Sequence, residues 1–341
     1  MPIQVFFLEF LKGYHVGWRR AKAIIDHTTI LRALMSVAYG LGDTLLIDKL
    51  SRGEIAATAL LPAIENGGRA RLLTPFPILP SLVKTSKLGV SWTTLYALNK
   101  ITSFAQRCVE ARGKPMLMGR EGDKVVLRCI GTEKELRLVI RSGVACVEGD
   151  DCSSLPSVPS PLLERISEYH NRIDRVTGAA DLYRLDGWKP NTLLWLGIGG
   201  DEEVLRHVAS VLEILSELGI GAYRSRGWGL FKLRTVAVHE LEKTVLDRCV
   251  GWRSGYNALL GSALPADWLD PSLTYARPTV ITGISGPSFE EYRLPLIQAM
   301  DVSSLVYAKK VPSPTLIRVS TSLPNREALM MFNPLVVSSC E

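Results

Sequence analysis

The strongest chemical signal in the sequence is a glycine- and arginine-rich stretch at residues 219–229, GIGAYRSRGWG. Its four glycines remove side chains, so backbone N–H groups can approach a phosphate chain. Arg224 and Arg226 can neutralise phosphate charge, while Tyr223 and Trp228 offer faces on which bases can stack. The alternative is a helix end at Gly219 followed by a glycine-tolerant turn with solvated arginines. The two arginines interleaved with two aromatic residues favour RNA binding.

A second polar stretch, residues 170–183, precedes an apolar strand pattern. Its candidate donors to phosphates are His170, Arg172, Arg175 and Thr177, and Asp174 can hold an arginine in place. The alternative is a polar loop that satisfies its own backbone. This stretch is therefore a second candidate for phosphate contacts.

Catalysis has a weaker basis in the sequence. His15 and His27 flank the first predicted helix, and either can serve as a general base or donate to phosphate. A metal-independent ribonuclease needs little more than one such histidine and a positive neighbour. Residues 197–200, GIGG, stand before a helix, but the acids at 201–203 would repel a phosphate there and instead complement the helix dipole.

The composition is that of a folded globular protein. The chain has 341 residues, with 47% hydrophobic and 22% charged residues, a net charge of +6 and a length that suggests about two domains. No apolar run reaches the roughly 18 residues of a membrane span, and no basic region precedes the apolar start, so we expect a cytoplasmic protein. The positive charge favours an anionic partner without identifying it.

The six cysteines, at 108, 129, 146, 152, 249 and 340, show no C-x-x-C pair. In the cytosol we expect them to be reduced, and most to be small core residues. A structural metal site would need closely spaced ligands, so no metal and no cofactor is expected.

Hydrophobic periodicity predicts a buried strand at 2–10, a helix at 26–41, a strand at 192–198, a helix after the acids at 201–203, and a strand at 230–238. This β-α-(insertion)-β-α-β order is that of a ferredoxin-like domain with a large insertion at about 43–165, which must supply the missing strand. The insertion contains a helical patch at 93–112 and a hairpin of strands 124–130 and 135–140. The predicted class is α+β.

From about residue 236 a second unit begins, with strands near 278–282, 304–307, 316–319 and 328–337. We therefore predict an N-terminal domain at 1–235 and a C-terminal domain at 236–341. A pair of similar α+β units is compatible with this pattern.

Several of these residues together resemble a known family. The 219–229 loop followed by Leu230 and Phe231 resembles the glycine-rich loop of RAMP proteins of CRISPR systems. The stretch HNRIDRVTGAA at 170–180 is similar to the R-I-D-R-x-T-G-x-A signature of the fourth Csm subunit, which is the Cas-five-like member of type III-A complexes. The segments HVG at 15–17 and DHTTILRAL at 26–34 look like that family's opening loop and first helix. A type III-D relative would look much the same.

This resemblance implies tandem ferredoxin-like (RRM-like) domains and a subunit of an antiviral ribonucleoprotein without nuclease chemistry. Family members bind the repeat-derived 5′ handle of the crRNA and bridge the large Cas-ten-type subunit to the adjacent backbone RAMP subunit. A crRNA-processing endoribonuclease of the same superfamily, with His15 or His27 as base, stays open, as does an RNA-free scaffold. The predicted RNA-binding residues are His15, Gly17, Arg19, Arg172, Arg175, Thr177, Gly219, Gly221, Tyr223, Arg224, Ser225, Arg226, Gly227, Trp228 and Gly229.

Overall fold

The computed structural model describes residues 1–17, 21–81, 87–159, 161–173, 176–285, 292–320 and 327–340. Within these ranges the helices are α1 (His27–Leu41), α2 (Thr44–Ser51), α3 (Leu95–Glu110), α4 (Asp150–Ser153), α5 (Glu202–Leu218) and α6 (Glu240–Cys249). No helix of the described ranges is long and apolar enough to cross a membrane.

The strands fall into two groups along the chain. The first group is β1 (Ile3–Phe10), β2 (Ala56–Ala57), β3 (Leu61–Asn66), β4 (Arg69–Pro75), β5 (Trp92–Thr94), β6 (Lys114–Glu121), β7 (Lys124–Ile130), β8 (Glu135–Arg141), β9 (Val144–Val147), β10 (Leu163–Ile173), β11 (Ala180–Pro190), β12 (Leu193–Gly199), β13 (Phe231–Arg234) and β14 (Ala237–Val238). The second is β15 (Gly255–Leu259), β16 (Pro278–Ile281), β17 (Ile284–Ser285), β18 (Tyr292–Arg293), β19 (Ile297–Met300), β20 (Leu305–Ala308), β21 (Thr315–Ser320), β22 (Glu327–Phe332) and β23 (Val336–Ser338). The predicted α+β class is confirmed.

A large mixed sheet organises the first two thirds of the chain. In the described ranges its order is β13-β1-β12-β3-β4-β5-β9-β8-β7-β6, with β14 beside β4 and β2 beside β12. The strand β1 lies inside the sheet, antiparallel to both β12 and β13. Its side chains alternate between two hydrophobic clusters: Phe6 and Leu8 pack in one, and Phe7 packs in the other. Both faces of the sheet are therefore covered, which explains why β1 reads as a continuous apolar run.

Helices α1 and α5 contribute to the same hydrophobic cluster on one face of the sheet, through residues such as Leu34 and Leu212. Asp26 caps α1 by accepting a hydrogen bond from the N–H of Thr28 at 3.0 Å. Asp201 caps α5 by accepting from the N–H of Val204 at 2.8 Å. Both predicted helices are confirmed, and the acids before α5 serve the helix end as expected.

The inserted region supplies the strand that the sequence pattern lacked. Strand β3 pairs antiparallel with β12, so the central strands run β13-β1-β12-β3. The predicted hairpin is β7 with β8, and the helical patch is α3. The predicted strand at 230–238 is wrong in part, because β13 ends at Arg234 and the chain then crosses to pair β14 in parallel with β4.

The C-terminal part forms the sheet β20-β15-β23 and several two-stranded hairpins. One hydrophobic cluster holds Leu98 and Ile101 of α3 together with Tyr256 of β15 and Val337 of β23. The predicted strand at 328–337 is two strands, β22 and β23, separated at Pro334, which cannot donate a ladder hydrogen bond.

A buried ion cluster joins the insertion to α6. The guanidinium of Arg71 donates from Nε to both carboxylate oxygens of Glu242, at 2.9 and 3.0 Å, and pairs through Nη2 with Asp151. All three side chains are at most 1% exposed. Burial raises the pKa of Glu242 to about 7, against the opposing charge of Arg71.

All six cysteines form disulfides, namely Cys108–Cys129, Cys146–Cys152 and Cys249–Cys340, with Cα–Cα separations of 5.5, 5.3 and 5.5 Å. The expectation of reduced thiols is therefore wrong. The expectation of burial holds, apart from Cys340, which is partly buried. Partners far apart in sequence meet because the end of α3 lies against β7 and the end of α6 lies against the C-terminal residues.

Candidate nucleic-acid interface

The base of the 219–229 loop is packed against the backbone of residues 13–15. Gly221 and Gly229 have positive φ angles, of 96° and 78°. A Cβ at Gly221 would lie 2.4 Å from the carbonyl oxygen of His15, and one at Gly229 would lie 2.1 Å from that of Ile220. These glycines are needed because neighbouring backbones approach too closely for any side chain.

Most N–H groups of this loop are already used within the protein. Ala222 donates to His15 O at 2.9 Å, Gly229 to Gly13 O at 2.7 Å, and Gly219 to Leu215 O at 2.8 Å. The N–H groups of Gly219, Gly227 and Gly229 are therefore used within the protein, and backbone contact with phosphate stays a prediction for the rest of the loop. The glycines let the loop fold tightly, and the exposed side chains lie at its tip.

The tip is a single 3-10 turn, Arg224–Arg226, between Tyr223 and Gly227, both in the left-handed conformation. Arg224, Ser225 and Arg226 are exposed. In the described part of the chain neither arginine forms an ion pair with a carboxylate. Two solvent-facing guanidinium groups thus stand within one turn, a spacing suited to neighbouring phosphates.

Trp228 is fully buried, so its ring has no face for a base. The ring packs where Gly187 of β11 leaves room, since a Cβ at Gly187 would lie 2.0 Å from it. Its indole N–H donates to Glu168 at 3.2 Å, and Lys12 Nζ lies 5.6 Å from the ring centre. The predicted stacking role of Trp228 is therefore wrong, because the tight loop turns the ring into the protein, and Tyr223 is the exposed ring of the pair.

Glu168 links three neighbours beneath the loop. It pairs with Lys12 at 2.8 Å and contacts His170 Nε2 at 3.3 Å, besides accepting from Trp228. The hydrogen bond from Lys12, with those from Trp228 and His170, holds the pKa of Glu168 below its usual range. This carboxylate fixes the loop to β10.

The 170–183 stretch belongs to a long hairpin. Strands β10 and β11 pair along their whole length, from Leu163 opposite Pro190 to Ile173 opposite Ala180. His170 stacks on Tyr183, with ring centres 5.8 Å apart, and the Arg226 guanidinium carbon lies 5.0 Å from the Tyr183 ring centre. The hairpin and the glycine loop therefore share one surface.

Arg172 is exposed opposite Asp181, two residues nearer the hairpin tip than His170 and on the same face of β10. Thr177 lies in the turn, where its hydroxyl accepts from the N–H of Ala179 at 3.3 Å. Arg19, Asp174 and Arg175 lie outside the described residues. Arg172 thus extends the surface begun by Arg226 along the hairpin.

His15 is buried, with Nδ1 2.6 Å from the carbonyl oxygen of Asp186 and its ring centre 5.0 Å from that of Tyr223. It supports the loop tip from below. Gly17 follows with a φ of 120° at the end of the described segment. His27 is fully buried beside Asp26, at 3.0 Å. Both ring nitrogens of His27 are closed to solvent, and His15 is 6% exposed.

Sequence reasoning missed four residues that hold this surface together, namely Lys12, Glu168, Tyr183 and Asp186. A signal for Tyr183 existed, because His170 and Tyr183 are symmetric about a turn that contains Gly178. Across the residues that the structure describes, no group of three metal-ligating side chains comes together.

Comparison with known proteins adds to this geometry. Residues 148–232 match the RAMP superfamily model. The matched segment contains β10, β11, β12, α5 and the glycine loop, so it holds most of the surface just described. No curated protein is significantly similar to the chain in sequence.

Among solved structures, a chain from the crystal structure of the Csm3-Csm4 subcomplex in the type III-A CRISPR-Cas interference complex superposes with a TM-score of 0.55 at 12% identity, over 99% of both chains. A chain of the Csm1-Csm4 cassette in complex with cA4 superposes with a TM-score of 0.48 at 11% identity, over the whole of both chains. A chain of the type III-B Cmr-beta complex bound to cognate target RNA and AMPPnP superposes with a TM-score of 0.46 at 13% identity, over 90% of this chain and 86% of that chain. The first of these shows a shared fold along nearly the whole length.

Proposed function

We propose that this protein is a non-catalytic crRNA-binding subunit of a type III, Csm-type CRISPR interference complex. In this role it binds the repeat-derived 5′ handle of the crRNA in the cytoplasm. It also bridges the large Cas-ten-type subunit to the adjacent backbone RAMP subunit. The observation that carries the proposal is the pair of exposed arginines, Arg224 and Arg226, at the tip of the loop in the RAMP-matched segment.

The arrangement of elements supports the tandem ferredoxin-like part of this proposal. In chain order β1, α1, β3, β12, α5 and β13 give a β-α-β-β-α-β unit whose strands lie in the order β13-β1-β12-β3. That order is the one expected for a ferredoxin-like domain. The second unit would centre on β20-β15-β23, with α6 as its helix.

The chemistry of the surface suits single-stranded RNA. Arg224 and Arg226 supply charge for phosphates, and Tyr223 supplies an exposed ring for a base. Arg172 continues the charge along β10. Because these groups lie on a tightly packed loop and a hairpin, they hold their positions before RNA arrives, which reduces the ordering cost of binding.

The burial of His15 and His27 favours a binding role over the ribonuclease alternative. A general base must reach the proton it removes, and His27 is fully enclosed while His15 is only 6% exposed. The proposed contacts with neighbouring subunits are supported by the fold that this protein shares with a chain from a Csm3-Csm4 subcomplex.

The test compares the double variant Arg224→Ala/Arg226→Ala with a control of equal charge loss, Arg206→Ala/Lys243→Ala, on exposed faces of α5 and α6. RNA affinity is measured across a salt series. The loop variant should bind handle RNA more weakly and with a slope of log K against log salt reduced by about one to two units. The control should leave the slope nearly unchanged. An unaltered slope in the loop variant would exclude the loop as the RNA site.

A further inference from the structure

Three flat side chains meet where the hairpin of β10 and β11 touches the glycine loop. The ring of His170 stacks on that of Tyr183, with an interplanar angle of 24° and ring centres 5.8 Å apart. The guanidinium group of Arg226 lies over the Tyr183 ring, with its carbon 5.0 Å from the ring centre. We call these three residues the planar cluster. Its ring supports one side of the guanidinium.

The planar cluster is anchored to the protein beneath the loop. Glu168 lies 3.3 Å from His170 Nε2, and the same carboxylate pairs with Lys12 at 2.8 Å and accepts from the indole N–H of Trp228 at 3.2 Å. His170 and Tyr183 also lie directly opposite each other in the paired strands. The support of the guanidinium is therefore in place before a ligand binds, which reduces the ordering cost of binding.

The side of the guanidinium away from Tyr183 is open. Arg226 is exposed, whereas Tyr183 and His170 are half-buried. A Cβ at the next residue, Gly227, would meet nothing within 4 Å, so there is free space beside the arginine. A flat group of the size of a nucleobase can therefore reach this side.

The charge of Arg226 is not neutralised by the hairpin. Among the residues that the structure describes, no carboxylate forms an ion pair with it. Asp186 of β11 accepts from Arg184 at 3.0 Å, and Asp181 lies opposite Arg172 in the paired strands. The positive charge and the open side of Arg226 are therefore both available to a ligand.

Arg224, at the start of the same turn, has no comparable support. It is exposed, and no aromatic ring contacts its guanidinium in the described part of the chain. Its carbonyl oxygen accepts from the N–H of Gly227 at 3.0 Å, which fixes the backbone of the turn but not the side chain. A guanidinium backed by a ring offers a flat face as well as charge, whereas an unsupported one offers mainly charge and N–H donors.

We infer that Arg226 is a base-stacking residue, on whose open side a nucleobase of single-stranded RNA lies. Unpaired RNA bases stack on aromatic rings and on guanidinium planes. The N–H groups at the guanidinium edge can still bind a phosphate, so the two roles are compatible. Because every base has a flat face, this contact adds affinity without selecting a sequence. The inference rests on the proposed function and separates the two arginines, since Arg224 contacts phosphate alone.

The test measures equilibrium binding of the full chain to synthetic crRNAs that bear the 5′ handle and carry one abasic nucleotide, moved along the RNA one position at a time. At the stacked position the missing base should weaken wild-type binding by about 5- to 100-fold. Arg226→Lys keeps the charge but loses the flat face, so it should abolish the cost of that abasic position without changing the salt dependence of binding. Replacing that base by any other should cost less than about threefold.

Matched variants separate stacking from charge. Arg224→Lys makes the same change at the other arginine and should leave the cost of that abasic position as in the wild type. Tyr183→Leu removes the supporting ring and should lower the cost, whereas Tyr183→Phe keeps a ring and should retain it. Arg206→Lys, on an exposed face of α5, should match the wild type throughout. Melting temperatures show that each variant is folded.

An abasic cost that disappears in Arg226→Lys and remains in Arg224→Lys supports stacking on Arg226. If no abasic position has a cost that depends on Arg226, or if changing the base costs as much as removing it, the stacking inference is wrong. In that case a reduced salt slope in Arg224→Ala/Arg226→Ala would still support the loop as the RNA site. Absence of RNA binding by the wild type would overturn both proposals.

Discussion

The guanidinium carbon of Arg226 lies 5.0 Å from the ring centre of Tyr183. This contact joins the glycine-rich loop to β11, two segments more than 40 residues apart in sequence. An arginine over an aromatic ring keeps its N–H groups directed to the side, where they stay available to phosphates. The contact makes the loop and the hairpin a single surface, which is the one we propose for RNA.

Two glycines in the loop should respond differently to substitution. Gly227→Ala introduces only the strain of a positive φ, because nothing lies within 4 Å of its Cβ position, and should cost about 1 kcal/mol. Gly221→Ala adds a clash with His15 O and should cost about 3 kcal/mol or more. Denaturant unfolding of the two variants measures the difference. Equal losses would contradict the packing role assigned to Gly221.

The two aromatic residues of the loop should separate stacking from packing. Tyr223→Leu removes an exposed ring and should weaken RNA binding by about 1–3 kcal/mol with little effect on stability. Trp228→Phe should cost about 1–3 kcal/mol of stability, through the lost hydrogen bond to Glu168 and the space that the smaller ring leaves, and should leave RNA affinity unchanged. Parallel binding and unfolding measurements test both. A loss of RNA affinity in Trp228→Phe, at a temperature where it is folded, would restore the stacking role to that residue.

Stability should fall as pH rises through the titration of Glu242. Its folded pKa, about 7, lies above the ordinary carboxyl value of 4.5. Between those values the folded state binds more protons than the unfolded state, so the free energy of unfolding decreases with rising pH, by up to about 3 kcal/mol. Glu242→Gln should flatten this part of the curve, whereas Glu240→Gln, at an exposed neighbour, should not. If the stability of Glu242→Gln still fell with pH as steeply as that of the wild type, groups other than Glu242 would set the pH dependence.

Reduction of the disulfides should lower the melting temperature. The bond Cys249–Cys340 spans 91 residues and constrains the unfolded chain over the longest loop of the three. Cys249→Ser/Cys340→Ser should therefore lose more stability than Cys146→Ser/Cys152→Ser, whose partners are six residues apart. Melting curves with and without reductant measure the effect. A melting temperature that reductant leaves unchanged would mean that the thiols are free in solution.

The sequence was most informative where local signals agreed. Helix α5 has an acid at its N-cap, a clear apolar face and a glycine at its end, and it appears where the pattern predicts. The hairpin of β10 and β11 was missed because its strands are largely exposed and polar, so apolar alternation is weak. Its stability comes from pairing along eleven residues, which no local window reveals.

Tertiary contacts account for the other differences between the sequence predictions and the structure. Trp228 is buried because Gly187 leaves space for its ring, and these residues are distant in sequence. The guanidinium of Arg32, on α1, lies against Gly283, which is far along the chain. Such pairings depend on the assembled fold, so residue type and spacing indicate the candidate side chains but not which of them face solvent.

The most direct test of the central claim is equilibrium binding of the purified full chain to labelled crRNA that bears its 5′ handle, compared with the same RNA without the handle. A denaturing gel of each sample reports cleavage. We predict tighter binding of the handle-bearing RNA, with both RNAs intact. Equal affinity for the two RNAs, or cleavage that disappears in His15→Ala, would contradict the account.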